Sequence, residues 1–175
     1  QSSFLIGSCF SENIGEKLKD RKFKISSNPY GNLFNPFSIH KALQQLIQLT
    51  TIDSTNFILR DSRYYSFLHH SSVNASSEKA LAEKIQLQTE ECHLFLRSCD
   101  FLFVTFGTAF YYHHKSLDVT VANCHKQNAS TFEKRLAKPE EIVQEFQSLI
   151  KKLNEFNPAL KIIFTVSPVK HLRDG

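Results

Sequence analysis

The stretch DFLFVTFG, residues 100–107, decides the fold. Between Asp100 and Gly107 only Thr105 is polar, and the run is rich in aromatic and β-branched residues. It is too short for a helix of ordinary length and does not alternate as a half-buried strand would. A strand covered on both faces reads this way, which points to a parallel sheet. Working outward, Ser76-Ser77-Glu78 opens a long helix with Leu81, Ile85, Cys92 and Phe95 on one face. Downstream, Pro139 starts a helix with Glu140 and Glu141 in its first turn and the stripe Ile142, Phe146, Leu149, Ile150 and Leu153. LKIIFTV, 160–166, reads as another buried strand, stopped by Ser167-Pro168.

Nearer the N-terminus, Ser3 to Gly7 forms a short buried strand and Glu12 to Asp20 a helix with acid early and lysine late. Phe23 and Ile25 alternate with polar residues as a second strand, and residues 28–32 (NPYGN) form a turn. Ser38 caps a helix carrying Ile39, Ala42, Leu43 and Leu46. Phe57 to Phe67 is β-prone, and Phe110–Tyr112 with Val119–Ala122 make a small excursion. Alternating strands and helices predict right-handed crossovers and a parallel sheet with helices on both faces. With 175 residues and neither repeat nor linker, one domain over 1–175 is expected.

Composition narrows the function. Hydrophobic residues are 41% and charged residues 22%, which excludes wholesale disorder. The net charge of +4 is dispersed, so no nucleic-acid partner is expected. The densest basic group, Lys17 to Lys24, reads as a solvated helix end running into an edge strand. The longest apolar run, Phe101 to Phe106, is too short for a membrane span. No signal peptide is visible, which favours the cytoplasm, with a processed exported form as the alternative. There is no initiator Met, as in a processed, trimmed or internal stretch. The cysteines at 9, 92, 99 and 124 lack C-x-x-C spacing, and His69-His70, His113-His114 and Cys124-His125 lack metal-ligand spacing. With no G-x-G-x-x-G, P-loop or H-E-x-x-H, no cofactor and no metal are expected.

Sites in such sheets form at strand carboxyl ends. Three ends carry chemistry: Gly7-Ser8-Cys9, Gly107-Thr108-Ala109, and Ser167 to His171. Ser8 follows a glycine and precedes a helix, whose N–H groups favour a developing oxyanion. It reads either as a nucleophile facing solvent or as an ordinary helix cap. Cys9 is a rival nucleophile that would more naturally face the core.

The segments GSCFSENIGEKL (7–18), NPYGNLFNPFSI (28–39), HHSS (69–72), TFGTAFYY (105–112), ANCHKQ (122–127) and SPVKHLRDG (167–175) occur in this order. Together they resemble the GSCFA family, itself similar to the SGNH (GDSL-like) serine hydrolases. The resemblance implies a three-layer α/β/α sandwich with a mostly parallel sheet, acting on esters, often acetyl groups on carbohydrate. It implies Ser8 as nucleophile, with its N–H and that of Gly31 as oxyanion donors and Gly107 as the glycine of the third block. The SGNH pattern has Asn two residues after that glycine; here stands Ala109. Asn123 or Thr108 would have to supply the missing donor. The closing Asp-x-x-His block is also absent before Gly175, so the chain is expected to be part of a longer enzyme and inactive alone. His70, His125 and His171 lie in family-like motifs, as substrate contacts or as an internal base. The expected partner is a small-molecule or carbohydrate ester. A non-catalytic glycan-binding or interaction module is the alternative.

Overall fold

The computed structural model of the chain describes residues 1–167. Strand β1 (Ser2–Gly7) runs into α1 (Cys9–Asp20), which returns to β2 (Lys24–Ser27). A loop leads to α2 (Pro36–Gln48), followed by β3 (Phe57–Arg60), β4 (Arg63–Ser66) and the short β5 (Asn74–Ala75). The long α3 (Glu78–Ser98) then leads to β6 (Phe101–Phe106). β7 (Phe110–His114), β8 (Val119–Val121) and β9 (Phe132–Leu136) precede α4 (Pro139–Phe156) and β10 (Lys161–Val166).

The main sheet has the order β10-β6-β1-β2 and is parallel throughout. β6 lies inside it, which is why its sequence is apolar on both faces. Gly7 pairs with Thr105, Thr105 with Thr165, and Phe106 with Val166. The three chemistry-bearing strand ends are therefore level on one edge, as the alternation of elements predicts.

Strand alternation sorts the layers. Phe4 and Ile6 of β1 and Leu102 and Val104 of β6 join one core with Leu43 of α2, Leu81 and Ile85 of α3, and Leu149 and Leu153 of α4. α1 lies on the other face. A Cβ at Gly15 would stand 2.7 Å from Ser27 Cβ and 3.7 Å from Ile25. Those two residues pair with Leu5 and Ser3, which point away from Phe4 and Ile6. The result is an α/β/α sandwich. The basic group sits where its sequence puts it, with Lys17 and Lys19 in the last turn of α1 and Lys24 opening the edge strand β2.

The structure corrects three expectations. α2 is capped by Asn35, whose Oδ1 accepts from Ser38 N–H at 2.9 Å; Pro36 fixes the first turn and Ser38 lies inside the helix. Among the described residues β10 lies at the edge of the main sheet and is partly exposed, with Phe164 42% and Val166 77% exposed. The excursion after β6 is a three-stranded antiparallel sheet, β8-β7-β9, whose third strand has the mixed sequence FEKRL; β3-β4-β5 form a second such sheet.

The tightest backbone approach is at Gly7, with φ 137°. A methyl there would lie 2.1 Å from the Thr105 carbonyl oxygen, and backbone cannot yield as a side chain can. Gly7→Ala is expected to cost more than about 4 kcal/mol. In a urea titration followed by circular dichroism it should show no native baseline; a wild-type midpoint would refute the steric reading.

Candidate functional site

Ser8 is the one residue between β1 and α1. It is extended (φ −69°, ψ 176°) and caps the helix, its Oγ accepting from Phe10 N–H at 3.3 Å. The junction is pinned from the side. Asn28 Oδ1 accepts from Gly7 N–H at 2.9 Å, and its Nδ2 donates to Ser8 C=O at 3.2 Å and Asn32 Oδ1 at 2.6 Å. Asn32 Nδ2 in turn donates to Glu12 Oε2 at 2.9 Å. Leu33 N–H donates to Gly7 C=O at 2.8 Å. The segment 28–33 is thus laced to the start of α1.

The geometry departs from a solvent-facing hydroxyl. Ser8 is only 1% exposed, with Asn28 bonded to its carbonyl and Gly107 packed beside its Cβ. The expected oxyanion N–H groups are committed elsewhere: Ser8 N–H donates to Thr105 C=O at 3.2 Å and Gly31 N–H to Asn28 C=O at 2.8 Å. Gly107 N–H donates to Phe34 C=O at 2.9 Å, and Thr108 N–H to the same oxygen at 3.1 Å. A Cβ at Gly107 would lie 3.1 Å from Ser8 Cβ and 3.0 Å from the Phe34 ring. Gly107 therefore contributes space beside Ser8.

Past Gly107 opens a cavity of about 280 Å³. Its walls include Phe34, Phe110, Tyr112, Thr108, Asn123 and Cys124. Thr108 and Asn123 both line it, but Ser8 and Gly31, expected to share a pocket with them, are not among its lining residues. Thr108 Oγ1 accepts from Phe110 N–H at 3.1 Å. Asn123 Nδ2 donates to Ser71 Oγ at 3.1 Å, and its Oδ1 accepts from His125 N–H at 2.8 Å. Lys134 Nζ stands 4.2 Å from the centre of the Phe110 ring, a cation–π contact. Burial pushes the Cys124 thiol up to about 11, so it is a thiol at neutral pH.

The histidines are used locally. His70 packs on the Gly31 turn: its N–H donates to Tyr30 C=O at 2.9 Å, and its Nδ1 lies 3.1 Å from Ser72 Oγ and 3.3 Å from Ser72 N. Gly31 (φ 74°) has no room for a Cβ, which would meet His70 Cβ at 2.3 Å. His125 is 2% exposed and its Nε2 donates to Ser66 C=O at 2.8 Å. That bond fixes its tautomer and keeps it from Ser8. Among the described residues no imidazole hydrogen-bonds Ser8 Oγ. His171 lies outside the described residues. His69 is 2% exposed, stands edge-on to Tyr30, and has Nδ1 2.9 Å from Ser66 Oγ. Burial, with His125 nearby, lowers its pKa to about 3; burial also lowers that of His125.

Sequence reasoning did not single out Asn28 or Tyr30 as site-building residues. NPYGN carries turn residues whose partners are remote in sequence, so the signal available there is a turn. Tyr30 is buried and donates to Thr89 Oγ1 at 2.5 Å, anchoring the loop in the core.

A parallel three-layer sandwich with a serine one residue past an inner strand and a cavity at the next strand end has the plan of α/β proteins that work at strand carboxyl ends. The model of the GSCFA family matches residues 2–175, and the chain belongs to that family. No curated protein and no solved structure matches it. Among the described residues no helix is long and apolar enough to cross a membrane.

The buried His69 sets a pH dependence. Its folded pKa of about 3 lies below the ordinary 6.5, so the unfolded chain binds the proton more readily. The stability it contributes is fully present above pH 6.5 and is lost as pH falls toward 3. Between pH 6.5 and about 4.5 the loss should be roughly 2–3 kcal/mol. Urea titrations at the two pH values should show that slope in wild type and a shallower one in His69→Gln; equal slopes would refute the assignment.

Proposed function

We propose that this protein is a serine-dependent ester hydrolase that removes a small O-acyl group, acetyl first among those to test, from a carbohydrate. The observation that carries the reading is the placement of Ser8. Its hydroxyl sits at the amino end of α1, level with the ends of β6 and β10, and one glycine away from a cavity. The helix field favours negative charge there. The cavity has aromatic walls for the apolar face of a substrate, and Asn123 and Thr108 for its polar groups.

In this reaction Ser8 Oγ attacks the ester carbonyl while a base takes its proton. The tetrahedral oxyanion collapses, the C–O bond to the alcohol breaks, and the alcohol leaves with that proton. Water then adds to the acyl-serine, the acyl–Oγ bond breaks with a proton returned to Oγ, and the carboxylic acid leaves, restoring Ser8. The described histidines are bound up in local contacts, so the reading assigns the base to none of them. Attack also requires the covering loop to open over Ser8.

A second reading, a glycan-binding module without catalysis, is favoured by one set of observations. The Ser8 and Gly31 N–H groups already donate to backbone carbonyls, and Ala109 stands where the SGNH pattern has Asn.

A fluorophosphonate probe separates the two. On the hydrolase reading, mass spectrometry of the full-length protein should find the label on Ser8, and Ser8→Ala in that protein should lower turnover of an acetylated sugar by about 10⁴–10⁶-fold. A protein that binds saccharide yet takes no label and turns over no ester would carry the second reading.

A further inference from the structure

A second concave site lies away from Ser8, along the later turns of α2. Lys41, Gln44, Gln45 and Gln48 follow i, i+3, i+4, i+7 spacing, so they form one polar stripe. The stripe faces a cavity of about 260 Å³ closed on the far side by Asp53, Phe57 and His69. That volume lies near the lower end of small-molecule sites, roughly 300–1,000 Å³. Among the described residues none of the three glutamine amides makes a hydrogen bond within the protein. The cavity wall also holds a buried polar atom in the same condition: His69 Nε2 has no partner, although its residue is 98% buried. That atom has no contact with solvent, and Ser11 Oγ and His125 Nδ1 share its condition, so the case for an occupant rests on the shape and lining of the cavity.

The lining specifies the occupant's chemistry. Among the described residues Lys41 and Asp53 are its only formally charged side chains, and they cancel. An anion would meet Asp53 and a cation Lys41. The amides of Gln44, Gln45 and Gln48 each donate and accept, which matches hydroxyl groups, since those also do both. Phe57, Ile52 and Leu68 supply an apolar patch for the C–H face of a ring. We infer that this cavity is a binding site for a neutral, hydroxyl-rich ligand of the saccharide class, separate from the strand-end cavity. The two line up along one helix. Asn35, the α2 cap, borders the strand-end cavity; Ser38, Lys41 and Gln45 border a small recess between them; Gln48 borders the far cavity. At 1.5 Å per residue the span from Asn35 to Gln48 is about 20 Å, the reach of a short oligosaccharide. That shared ligand rests on the ester-hydrolase reading; the site itself does not.

The test is a titration of the protein with maltotriose, xylobiose and N,N′-diacetylchitobiose, with glucuronate and inorganic phosphate as anionic controls. The side-chain amide NMR signals of Gln44, Gln45 and Gln48 are the readout. At least one neutral sugar should shift them at millimolar concentration. Gln45→Ala/Gln48→Ala should weaken that binding about tenfold or more. Ser8→Ala should leave it unchanged, whatever becomes of ester turnover. The proposal is overturned if no neutral sugar shifts the three amides, or if only the anions do. It is overturned equally if sugar binding survives the double variant, because the ligand then sits elsewhere. The wild-type shifts decide the matter should the double variant not fold.

Discussion

The Asn28 carboxamide binds both sides of the β1–α1 junction, Oδ1 accepting from Gly7 and Nδ2 donating to the Ser8 carbonyl. Both bonds are buried, and a buried amide stripped of either leaves an unsatisfied group that costs roughly 1–3 kcal/mol. The junction needs this support because Gly7 runs against β6 closely enough to exclude a Cβ, a conformation glycine alone adopts without strain. Asn28 itself sits at φ 42°, in the left-handed region that Asn tolerates better than most residues. One side chain therefore fixes the strand end, the first turn of α1 and the start of the loop that covers them. Tyr30, two residues on and buried against α3, ties the same loop to the main core.

Much of the fold was legible because burial writes a period into sequence. The run 101–106 shows an interior strand, and the stripe from Ile142 to Leu153 shows a helix. What escaped has a physical reason in each case. FEKRL in β9 pairs at the edge of a small, half-exposed sheet, so no face of it needs to be apolar throughout. LKIIFTV looks interior by composition, but sheet order, which local pattern does not encode, leaves β10 at the edge among the described residues. Ser38 and Asn35 are both good caps by type. The choice fell to Asn35 because Pro36 is suited to the first helical position and leaves the residue before it extended.

The site was legible as position and not as bonding. Placing Ser8, Gly107 and Thr108 at level strand ends needed only the alternation of elements. Which N–H groups are spoken for depends on contacts remote in sequence, such as Ser8 with Thr105 and Gly107 with Phe34, and on a local turn that takes the Gly31 N–H to Asn28. The paired histidines show the same limit. Their density is visible in sequence, but their partners are not: His69 bonds Ser66 within its own segment, while His125 reaches the Ser66 carbonyl and fastens the 122–127 segment to the 66–72 segment. Asn123 adds a second side-chain tie through Ser71. These segments carry the family-like motifs HHSS and ANCHKQ, and their polar residues are spent largely on each other.

Capping and the proposed nucleophilic attack make different demands on Ser8, and the geometry reconciles part of the conflict. In capping, Oγ only accepts, so one lone pair meets Phe10 N–H while the hydroxyl proton is left for an acceptor. Among the described residues no such acceptor is present. A base could take that proton without breaking the cap, and the cap would hold Oγ at the positive end of α1 throughout. Burial is the harder constraint. Gly107 keeps the space beside Ser8 Cβ open, since any side chain there would press on both Ser8 and Phe34. Phe34 is thus the shared wall between the serine and the 280 Å³ cavity, and its loop is the one Asn28 holds to the junction. A side chain at Gly107 would therefore crowd the serine on one side and the Phe34 wall of the cavity on the other, which is why the third strand-end glycine matters to both.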